Sequence, residues 1–389
     1  MRAIGETTGS APTPYPVPAP PPRPRRLPAW VAVVGPSVAL YGASRMVVFA
    51  ALWMASRLVP SVGLASAVTA WDGGWYLTTA RLGYPARLPM VDGHVGPSTV
   101  AFFPGYPLCI RAVHGLGLSY EAAGILVAGL AGLATVVLLR LLLERLWGRV
   151  AAERGVALFC FFPGAVALSL TYSEPLMLAL TVGSLLALVS RRRVTAGVLA
   201  GLAGATRPNA LALLPACIWA AVPALRNREW RAAAAPLLAP LGFLAFQGYL
   251  WAHTGHADAW LRTQQEGWDE RIDIGATWGR IVEFARHPLV DVNITIAVAG
   301  TAFIVVALVL LVRARPPAAI VVYTVGVVAL ALSSHTLGAR PRFVLTAFPL
   351  VTVFGRWLRA SAFPAVIAGS AVLLGAMAIL SVASRLATP

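Results

Sequence analysis

The sequence predicts an all-α membrane protein, a polytopic bundle of about eleven transmembrane helices. Hydrophobic residues make up 58% of the 389-residue chain and charged residues only 12%, with a mean hydropathy of +0.75. Soluble domains carry about 25% charged residues. Long apolar runs recur along the chain, and arginines cluster in alternate connections between them. That placement encodes membrane topology, so the net charge of +16 does not indicate nucleic-acid binding.

The apolar runs are the predicted spans, because a helix needs about 20 apolar residues to cross a bilayer. They occupy residues 29–53, 122–146, 152–170, 173–190, 194–206, 209–225, 233–252, 292–312, 317–335, 342–358 and 363–385. The run 194–206 is too short to cross alone, which predicts a broken or half-length span. Residues 1–28 are rich in proline and arginine and predict a disordered cytoplasmic tail, with a PxxP ligand as the alternative.

Arginine clusters orient the predicted bundle, because basic connections stay on the cytoplasmic side. The clusters lie at residues 23–26, 145–154, 191–193, 226–231, 313–315 and 356–359. The other connections are therefore predicted to be extracytoplasmic, and two of them are long, about 55–121 and 254–291. Loops of this length usually have a function. The sequence thus predicts one domain, 29–389, in the inner (plasma) membrane, with the N-terminus inside and any active site outside.

The first long loop contains a motif suited to sugar chemistry, Trp-Asp-Gly-Gly-Trp-Tyr at residues 71–76. Aromatic rings can stack on sugar faces, and glycines allow close backbone approach. The carboxylate of Asp72 can accept the proton of an attacking hydroxyl group. In the structural alternative, Asp72 caps an interfacial helix and Trp71, Trp75 and Tyr76 form an aromatic belt.

Other ionisable residues lie at or near membrane depth, where they are costly unless they have a function. Glu174 begins a span at its external end, where complementing the helix dipole is the alternative role. Arg207 lies at an external tip, against the positive-inside bias, and needs an anion such as Glu174 or a lipid phosphate. Arg45 lies within the first span, and Arg340 and Arg342 lie in the last external turn; snorkelling is the alternative for each.

The candidate residues share one predicted side of the membrane. The topology places these on the extracytoplasmic face: Asp72, Glu174, Arg207, Trp268, His335, Arg340 and Arg342. An enzyme that uses a polyprenyl-phosphate sugar needs arginines for the donor phosphate and a carboxylate for the acceptor on one face. The histidines and the three cysteines show no metal-ligand spacing, so no metal site or cofactor is predicted, and an assisting divalent cation is left open.

Several motifs, in their order and spacing, carry a resemblance to a known family. They are residues 71–76, 101–107, 172–175, 206–209, 266–268 and 341–343. With them, the sequence resembles the PIG-V family, which comprises the second mannosyltransferase of GPI assembly and its bacterial relatives in the GT-C superfamily. The resemblance implies a GT-C fold and an inverting mannosyltransferase with a polyprenyl-phosphate-mannose donor, in which Asp72 activates the acceptor. The segment after Trp268 is more acidic than the family pattern, which puts acceptor contacts there in doubt.

The residues expected to contact substrate follow from these observations and from the resemblance. They are Arg45, Trp71, Trp75, Tyr76, Glu174, Arg207, Asn209, Trp268, His335, Arg340 and Arg342. The expected partners are the lipid-linked donor and membrane lipids. The alternatives are a GT-C transferase for another lipid-linked sugar, a secondary transporter or lipid flippase, and a purely structural membrane protein. Transporters usually show paired repeats, which this sequence lacks.

Overall fold

The structure, a computed structural model, describes residues 29–59, 63–289, 291–336 and 338–383. The predicted tail, residues 1–28, lies outside this part of the chain. Helices dominate the described residues, and the strands among them, β1 (Met90–Val91) and β2 (His94–Val95), form one antiparallel pair. The all-α prediction is confirmed.

The first half of the described chain contains long apolar helices and the short elements of the first loop. The helices are α1 (Ala29–Leu58), α2 (Leu64–Val68), α3 (Asp72–Leu82), α4 (Gly105–His114), α5 (Tyr120–Phe161), α6 (Glu174–Val189), α7 (Arg193–Gly204) and α8 (Leu213–Arg226). Short 3-10 helices are formed by Thr99–Ala101, Pro163–Ser169 and Pro208–Ala212.

The second half contains the second long loop and the remaining apolar helices. After the 3-10 helix Trp230–Ala233 come α9 (Ala234–Leu238), α10 (Leu241–Thr254), α11 (Ala259–Arg262), the π-helix Thr263–Gly267, α12 (Ala276–Arg286), α13 (Val292–Ala314), α14 (Ala318–Leu332), α15 (Pro341–Thr346), α16 (Phe348–Thr352), α17 (Phe354–Trp357) and α18 (Phe363–Ala383).

The membrane-length helices differ in number from the eleven predicted runs. Among the described residues, five helices are long and apolar enough to cross a bilayer: Val34–Leu58, Tyr120–Phe161, Pro208–Arg226, Val292–Ala314 and Phe363–Val382. Two bent pairs raise the number to seven: Pro163–Ser169 with Glu174–Val189, bent by 106°, and Trp230–Leu238 with Leu241–Thr254, bent by 44°. Two more apolar helices, α7 and α14, are shorter. By length and apolar composition alone, the described helices thus give five to seven spans, and the number of about eleven stays a prediction.

Local breaks explain the difference. The runs 122–146 and 152–170 are joined in α5, which leaves helical geometry at Gly148, where φ is 80° and ψ is 173°. The run 342–358 is divided into the short helices α15, α16 and α17. Broken helices at membrane depth are tolerated where they are buried in protein, and α15 and α16 consist largely of buried residues. Hydropathy detects the apolar run but not the break within it.

Arg45 of α1 stabilises the bend between α5 and α6. Its Nη1 donates to Ala165 O and to Ser169 Oγ, both at 2.6 Å, and its Nη2 donates to Cys160 O at 3.3 Å. These carbonyls belong to the end of α5 and the 3-10 helix that follows, where no helical partner is available. The sequence predicts a substrate contact for Arg45, whereas in the structure its guanidinium donates to backbone and hydroxyl groups inside the bundle.

Glycines allow the broken segments to pack backbone against backbone. A Cβ atom placed on Gly164 would lie 2.1 Å from Pro341 O, and one on Gly242 would lie 1.9 Å from Gly201 O. Such approaches are typical of small residues at membrane helix interfaces. The contact of Gly164 fixes the start of α15 against the bend that leads into α6.

The two long loops are joined over one end of the bundle. Glu266 accepts a 2.6 Å hydrogen bond from Val95 N, which connects the second loop to the β1–β2 hairpin of the first. Farther along, Asp273 N donates to Ser333 O at 2.7 Å and Ile272 forms a β-bridge with Ser334. The second loop is thereby attached to both the first loop and the turn after α14.

Candidate active site

Asp72, the first residue of α3, forms an ion pair with Arg342 of α15. Arg342 Nη1 lies 2.8 Å from Asp72 Oδ2, and 23% of the Asp72 side chain is exposed against 8% of Arg342. The capping alternative is wrong, because Trp71 is the N-cap residue and no side chain caps this helix. Asp72 is therefore a partly accessible carboxylate at the end of the bundle.

Trp71 anchors this acid to the last helix. Its Nε1 donates a 2.7 Å hydrogen bond to Ser381 O of α18. Its backbone has a φ of 56° and a ψ of −124°, a conformation that residues other than glycine seldom adopt. Such strain persists only where the surroundings over-determine it, and it is frequent at functional sites. The structure thus gives Trp71 a positioning contact.

A second ion pair lies deeper in the bundle, between Glu174 and Arg207. Arg207 Nη1 lies 2.9 Å from Glu174 Oε2, and the Glu174 side chain is only 1% exposed. The same nitrogen donates to Tyr76 Oη at 3.3 Å and to Ser173 Oγ at 3.2 Å. The two hydroxyls are 2.5 Å apart, and either can donate. Of the two anions considered for Arg207, the structure shows Glu174.

Arg342 connects the two pairs. Besides Asp72, its Nη1 lies 3.9 Å from Glu174 Oε1. The result is an alternating row of two carboxylates and two arginines: Asp72, Arg342, Glu174 and Arg207. We call these four residues the ionic cluster. Buried charges are tolerated when they are paired in this way.

Buried polar atoms without hydrogen-bond partners collect around the ionic cluster. Among the described residues they include Thr171 Oγ1, Tyr172 Oη, Asn209 Oδ1 and Arg342 Nε. The Arg342 guanidinium lies over the Tyr172 ring, 5.5 Å from its centroid, and Asn209 Nδ2 donates to Thr346 of α15 at 3.4 Å. Most buried polar groups in proteins are hydrogen-bonded, so these atoms are available to a ligand or to water.

An aromatic cluster adjoins the ionic cluster. Trp75 stacks with Phe102 at a centroid distance of 5.8 Å and meets Trp268 edge-on at 5.4 Å. The Tyr76 ring packs edge-on against Phe102 at 5.0 Å, and its hydroxyl reaches Arg207. Burial, the largest influence, raises the pKa of Tyr76 to about 12, so the hydroxyl keeps its proton at neutral pH. Trp268 Nε1 is buried and has no hydrogen-bond partner among the described residues.

His335 and Arg340 lie outside the ionic cluster. His335 Nδ1 is 3.0 Å from Asp273 Oδ2, and Arg271 Nη2 is 3.1 Å from His335 Nε2. The hydrogen bond from His335 is the largest influence that lowers the pKa of Asp273. His335 therefore helps to attach the second loop to the turn after α14, which is a different role from the predicted substrate contact. Arg340 precedes α15 and is half-buried.

Sequence analysis missed Tyr172, Ser173, Phe102 and Tyr106 as individual site residues. All four lie inside the motifs 172–175 and 101–107, so the signal was present. Nothing local in the second motif shows that Phe102 stacks with Trp75 across the fold. Within the described ranges, no three His, Cys, Asp or Glu side chains are grouped so that they could hold a metal ion.

The fold is similar to that of a membrane protein of known structure. The structure is similar to the crystal structure of ArnT from Cupriavidus metallidurans bound to undecaprenyl phosphate, with a TM-score of 0.52 and 14% sequence identity over 89% of this chain and 76% of that chain. The likeness shows the fold, a multi-pass membrane bundle, and confirms the predicted GT-C class.

The family follows from the sequence. The family model of glycosyltransferase family 87 matches residues 99–334, more than half of the chain, and the protein belongs to that family. No curated protein sequence matches the chain. The protein is thus a membrane glycosyltransferase, which favours the enzyme over the transporter and the structural alternative. The mannosyltransferase specificity implied by the PIG-V resemblance stays a prediction.

Proposed function

We propose that the protein transfers mannose, with inversion, from a polyprenyl-phosphate donor to a lipid, glycan or protein acceptor on the extracytoplasmic side of the plasma membrane. The observation that carries the proposal is the ion pair between the partly exposed Asp72 and the buried Arg342, beside an aromatic cluster. Two comparisons support it. Family 87 consists of glycosyltransferases, and the structurally similar ArnT is bound to a polyprenyl phosphate.

Asp72 is the candidate general base. The acceptor hydroxyl gives its proton to Asp72 while its oxygen forms a bond to the anomeric carbon from the face opposite the lipid phosphate. The bond between that carbon and the phosphate oxygen breaks, and the phosphate leaves with the electron pair. Glu174 is a poor base for this step, because its side chain is 1% exposed and it is paired with Arg207. Arg342 orients the Asp72 carboxylate.

The aromatic cluster is the candidate sugar subsite. The indole rings of Trp75 and Trp268 can contact the C–H groups on one face of a pyranose, as aromatic side chains combine large apolar area with a polar atom. Trp268 Nε1 supplies an unused donor for a sugar hydroxyl. The protonated hydroxyl of Tyr76 connects this subsite to the ionic cluster.

The test compares Asp72→Asn with Asp92→Asn in membranes supplied with polyprenyl-phosphate mannose. Asp92 is exposed in the hairpin turn at a φ of 51°, a conformation that asparagine tolerates well. We expect Asp72→Asn to reduce transfer by about 10²–10⁴-fold, the usual contribution of a general base, and Asp92→Asn to retain it. Near wild-type transfer by Asp72→Asn at normal protein level contradicts the assignment.

The sugar is tested separately with wild-type protein. Polyprenyl phosphates that carry mannose, glucose or a pentose are supplied one at a time, and radiolabel is followed into lipid, glycan and protein fractions. Preferential transfer of mannose supports the proposal. Preferential transfer of another sugar refutes the mannose specificity and leaves the glycosyltransferase class intact.

A further inference from the structure

The charges of the ionic cluster are already balanced. Arg342 is paired with Asp72 and Arg207 with Glu174, so two arginines meet two carboxylates. A phosphate placed there would face both carboxylates, and like charges at such short range are unfavourable. A donor phosphate therefore needs cations whose charge is not already neutralised.

Arg280 of α12 is one such cation. Its Nη2 donates to Ser334 O at 3.3 Å and to His335 O, while its Nη1 is buried and has no hydrogen-bond partner among the described residues. Beside it lies a narrow cleft whose polar lining is Thr277, Arg280 and Thr301. The guanidinium is held by the turn after α14 and still has donors to spare, since Arg carries five N–H groups.

Arg340 is the second cation whose charge is not neutralised by an ion pair. No carboxylate among the described residues lies within the 4.0 Å ion-pair distance of Arg340 or Arg280. Burial lowers the pKa of Arg340 to about 10, and repulsion by Arg342 and Arg280 adds to that shift. Arg340 is thus a half-buried cation, and Arg280 Nη1 lies against Gly338, two residues before Arg340.

The nearest carboxylates are engaged elsewhere. Glu270 accepts hydrogen bonds from Ser334 Oγ at 3.0 Å and from Thr336. Asp291 accepts from two backbone amides at the start of α13, and Asp273 accepts from the backbone at the start of α12 and contacts His335. They act on Arg280 and Arg340 only at longer range. The two arginines keep a surplus of positive charge.

We propose that Arg280 and Arg340 bind the phosphate group of the lipid-linked donor, while Arg342 and Arg207 serve the carboxylates. The inference rests on the proposed function and adds a binding residue, Arg280, that the sequence did not indicate. Arginine suits the ligand, because its planar fork matches phosphate oxygens. Arg340 stands two residues before Arg342, so the leaving phosphate and the base Asp72 are served by neighbouring but separate arginines.

The charge changes of the transfer fit this division. When the anomeric C–O bond breaks, the phosphodiester with one negative charge becomes a phosphomonoester with two, and Arg280 and Arg340 stabilise the added charge. The acceptor proton neutralises Asp72 at the same time, so Arg342 meets less negative charge as the phosphate gains it. Arg342 thus stabilises Asp72 before the proton transfer, and Arg280 and Arg340 stabilise the phosphate after the bond has broken.

The test measures binding rather than turnover. Full-length protein is placed in nanodiscs of zwitterionic phospholipid only and titrated with undecaprenyl phosphate. We expect Arg280→Gln and Arg340→Gln each to raise the Kd by about tenfold to a hundredfold, the usual effect of losing a charge-assisted contact. Arg286→Gln, which removes an exposed charge from the same helix α12, is the matched control and should leave the Kd unchanged.

Three outcomes overturn the inference. The first is an unchanged Kd in both variants that have wild-type thermal stability. The second is an equal loss in Arg286→Gln, which would show only a diffuse effect of net charge. The third is that phosphatidylglycerol in the nanodiscs abolishes the binding of undecaprenyl phosphate equally in wild-type protein and in the variants. Bulk anionic headgroups would then occupy the site without selectivity.

The result is independent of the proposed sugar and base. Undecaprenyl phosphate carries no sugar, so weakened binding by Arg280→Gln supports the phosphate site even if mannose proves to be the wrong sugar. Conversely, full transfer by Asp72→Asn refutes the base without changing these Kd values. Conservative Arg280→Lys keeps the charge but loses the fork, and we expect it to recover only part of the affinity.

Discussion

Gly164 fixes the position of the arginines at the start of α15, and replacing it with alanine tests this directly. The added Cβ would lie 2.1 Å from Pro341 O, 2.4 Å from Pro341 C and 2.9 Å from Arg342 N. Ordinary van der Waals contact begins near 3.4 Å, so the two backbones must separate by about 1.3 Å. No flexible side chain is available to yield, because all three atoms belong to the backbone.

This separation should affect the site more than the fold. The ion pair between Arg342 and Asp72 is 2.8 Å long, and a shift of about 1 Å in a positioning group can cost about 10²-fold in rate. Overpacking of a well-packed core typically costs about 1–3 kcal/mol of stability. We therefore expect Gly164→Ala to be folded and inserted, to unfold at lower temperature and to transfer sugar about a hundredfold more slowly.

Gly129→Ala supplies the matched control for this prediction. Gly129 lies within α5, and a Cβ placed on it would meet nothing within 4 Å. The same chemical change should therefore be neutral, or stabilise the helix by up to about 1 kcal/mol through helix propensity. Both variants are compared by thermal unfolding in detergent and by radiolabelled transfer. Equal stability and equal rates for the two variants would refute the claim that Gly164 positions α15.

Three further predictions concern the ionic cluster and the loops. Glu174→Gln and Arg207→Gln should each lower the free energy of unfolding by about 3–5 kcal/mol, because each leaves a buried charge unpaired. The double variant should lose clearly less stability than the sum of the two single losses, and additive losses would exclude a direct interaction. Tyr76→Phe keeps the ring but loses the hydroxyl contacts, so stability should fall by about 1 kcal/mol while transfer falls more; unchanged transfer would remove Tyr76 from the site. Hydrogen bonds from Val95 N and Arg262 hold the pKa of Glu266 below its usual 4.5. The contribution of Glu266 to the stability of the hairpin contact is therefore present at neutral pH and is lost as the pH falls through that lowered pKa. Hydrogen exchange at the hairpin, corrected for its intrinsic pH dependence, should rise in acid, and Glu266→Gln should abolish that rise.

The class of fold could be predicted from the sequence because it depends on composition and on the placement of arginine. The helix breaks could not, since an apolar run reads the same whether it is continuous or bent. The 106° bend before α6 depends on contacts from elsewhere in the chain. Arg45 shows this most clearly, because it donates to two carbonyls at that bend, 115 and 120 residues away.

Part of the candidate site was also predictable. Asp72, Glu174, Arg207 and Arg342 were placed on one face by topology alone, and the structure brings them into one cluster. Which carboxylate pairs with which arginine could not be predicted, since four charges on one face allow more than one arrangement. The pairing matters, because it removes Arg207 and Arg342 from the cations free to bind phosphate.

Arg280 could not be identified from the sequence. It lies in a loop that is notable for its acids, and nothing nearby in the chain distinguishes it from Arg271 or Arg286. Its significance comes from the turn after α14, where Ile272 of the second loop forms a β-bridge with Ser334 and Arg280 donates to Ser334 O. The topology places Arg280 and Arg340 on the same side of the membrane, but only this long-range contact shows that Arg280 lies beside the turn that leads to Arg340.

The separation of Asp72 from Arg342 in the chain has a consequence for biogenesis. The two residues are 270 positions apart, and a ribosome adds about 5–20 residues per second, so the acid is synthesised roughly 15–50 s before its partner. During that interval Asp72 lacks the ion-pair partner that it has in the complete structure. The site is therefore completed only when α15 is in place, late in the synthesis of the described chain.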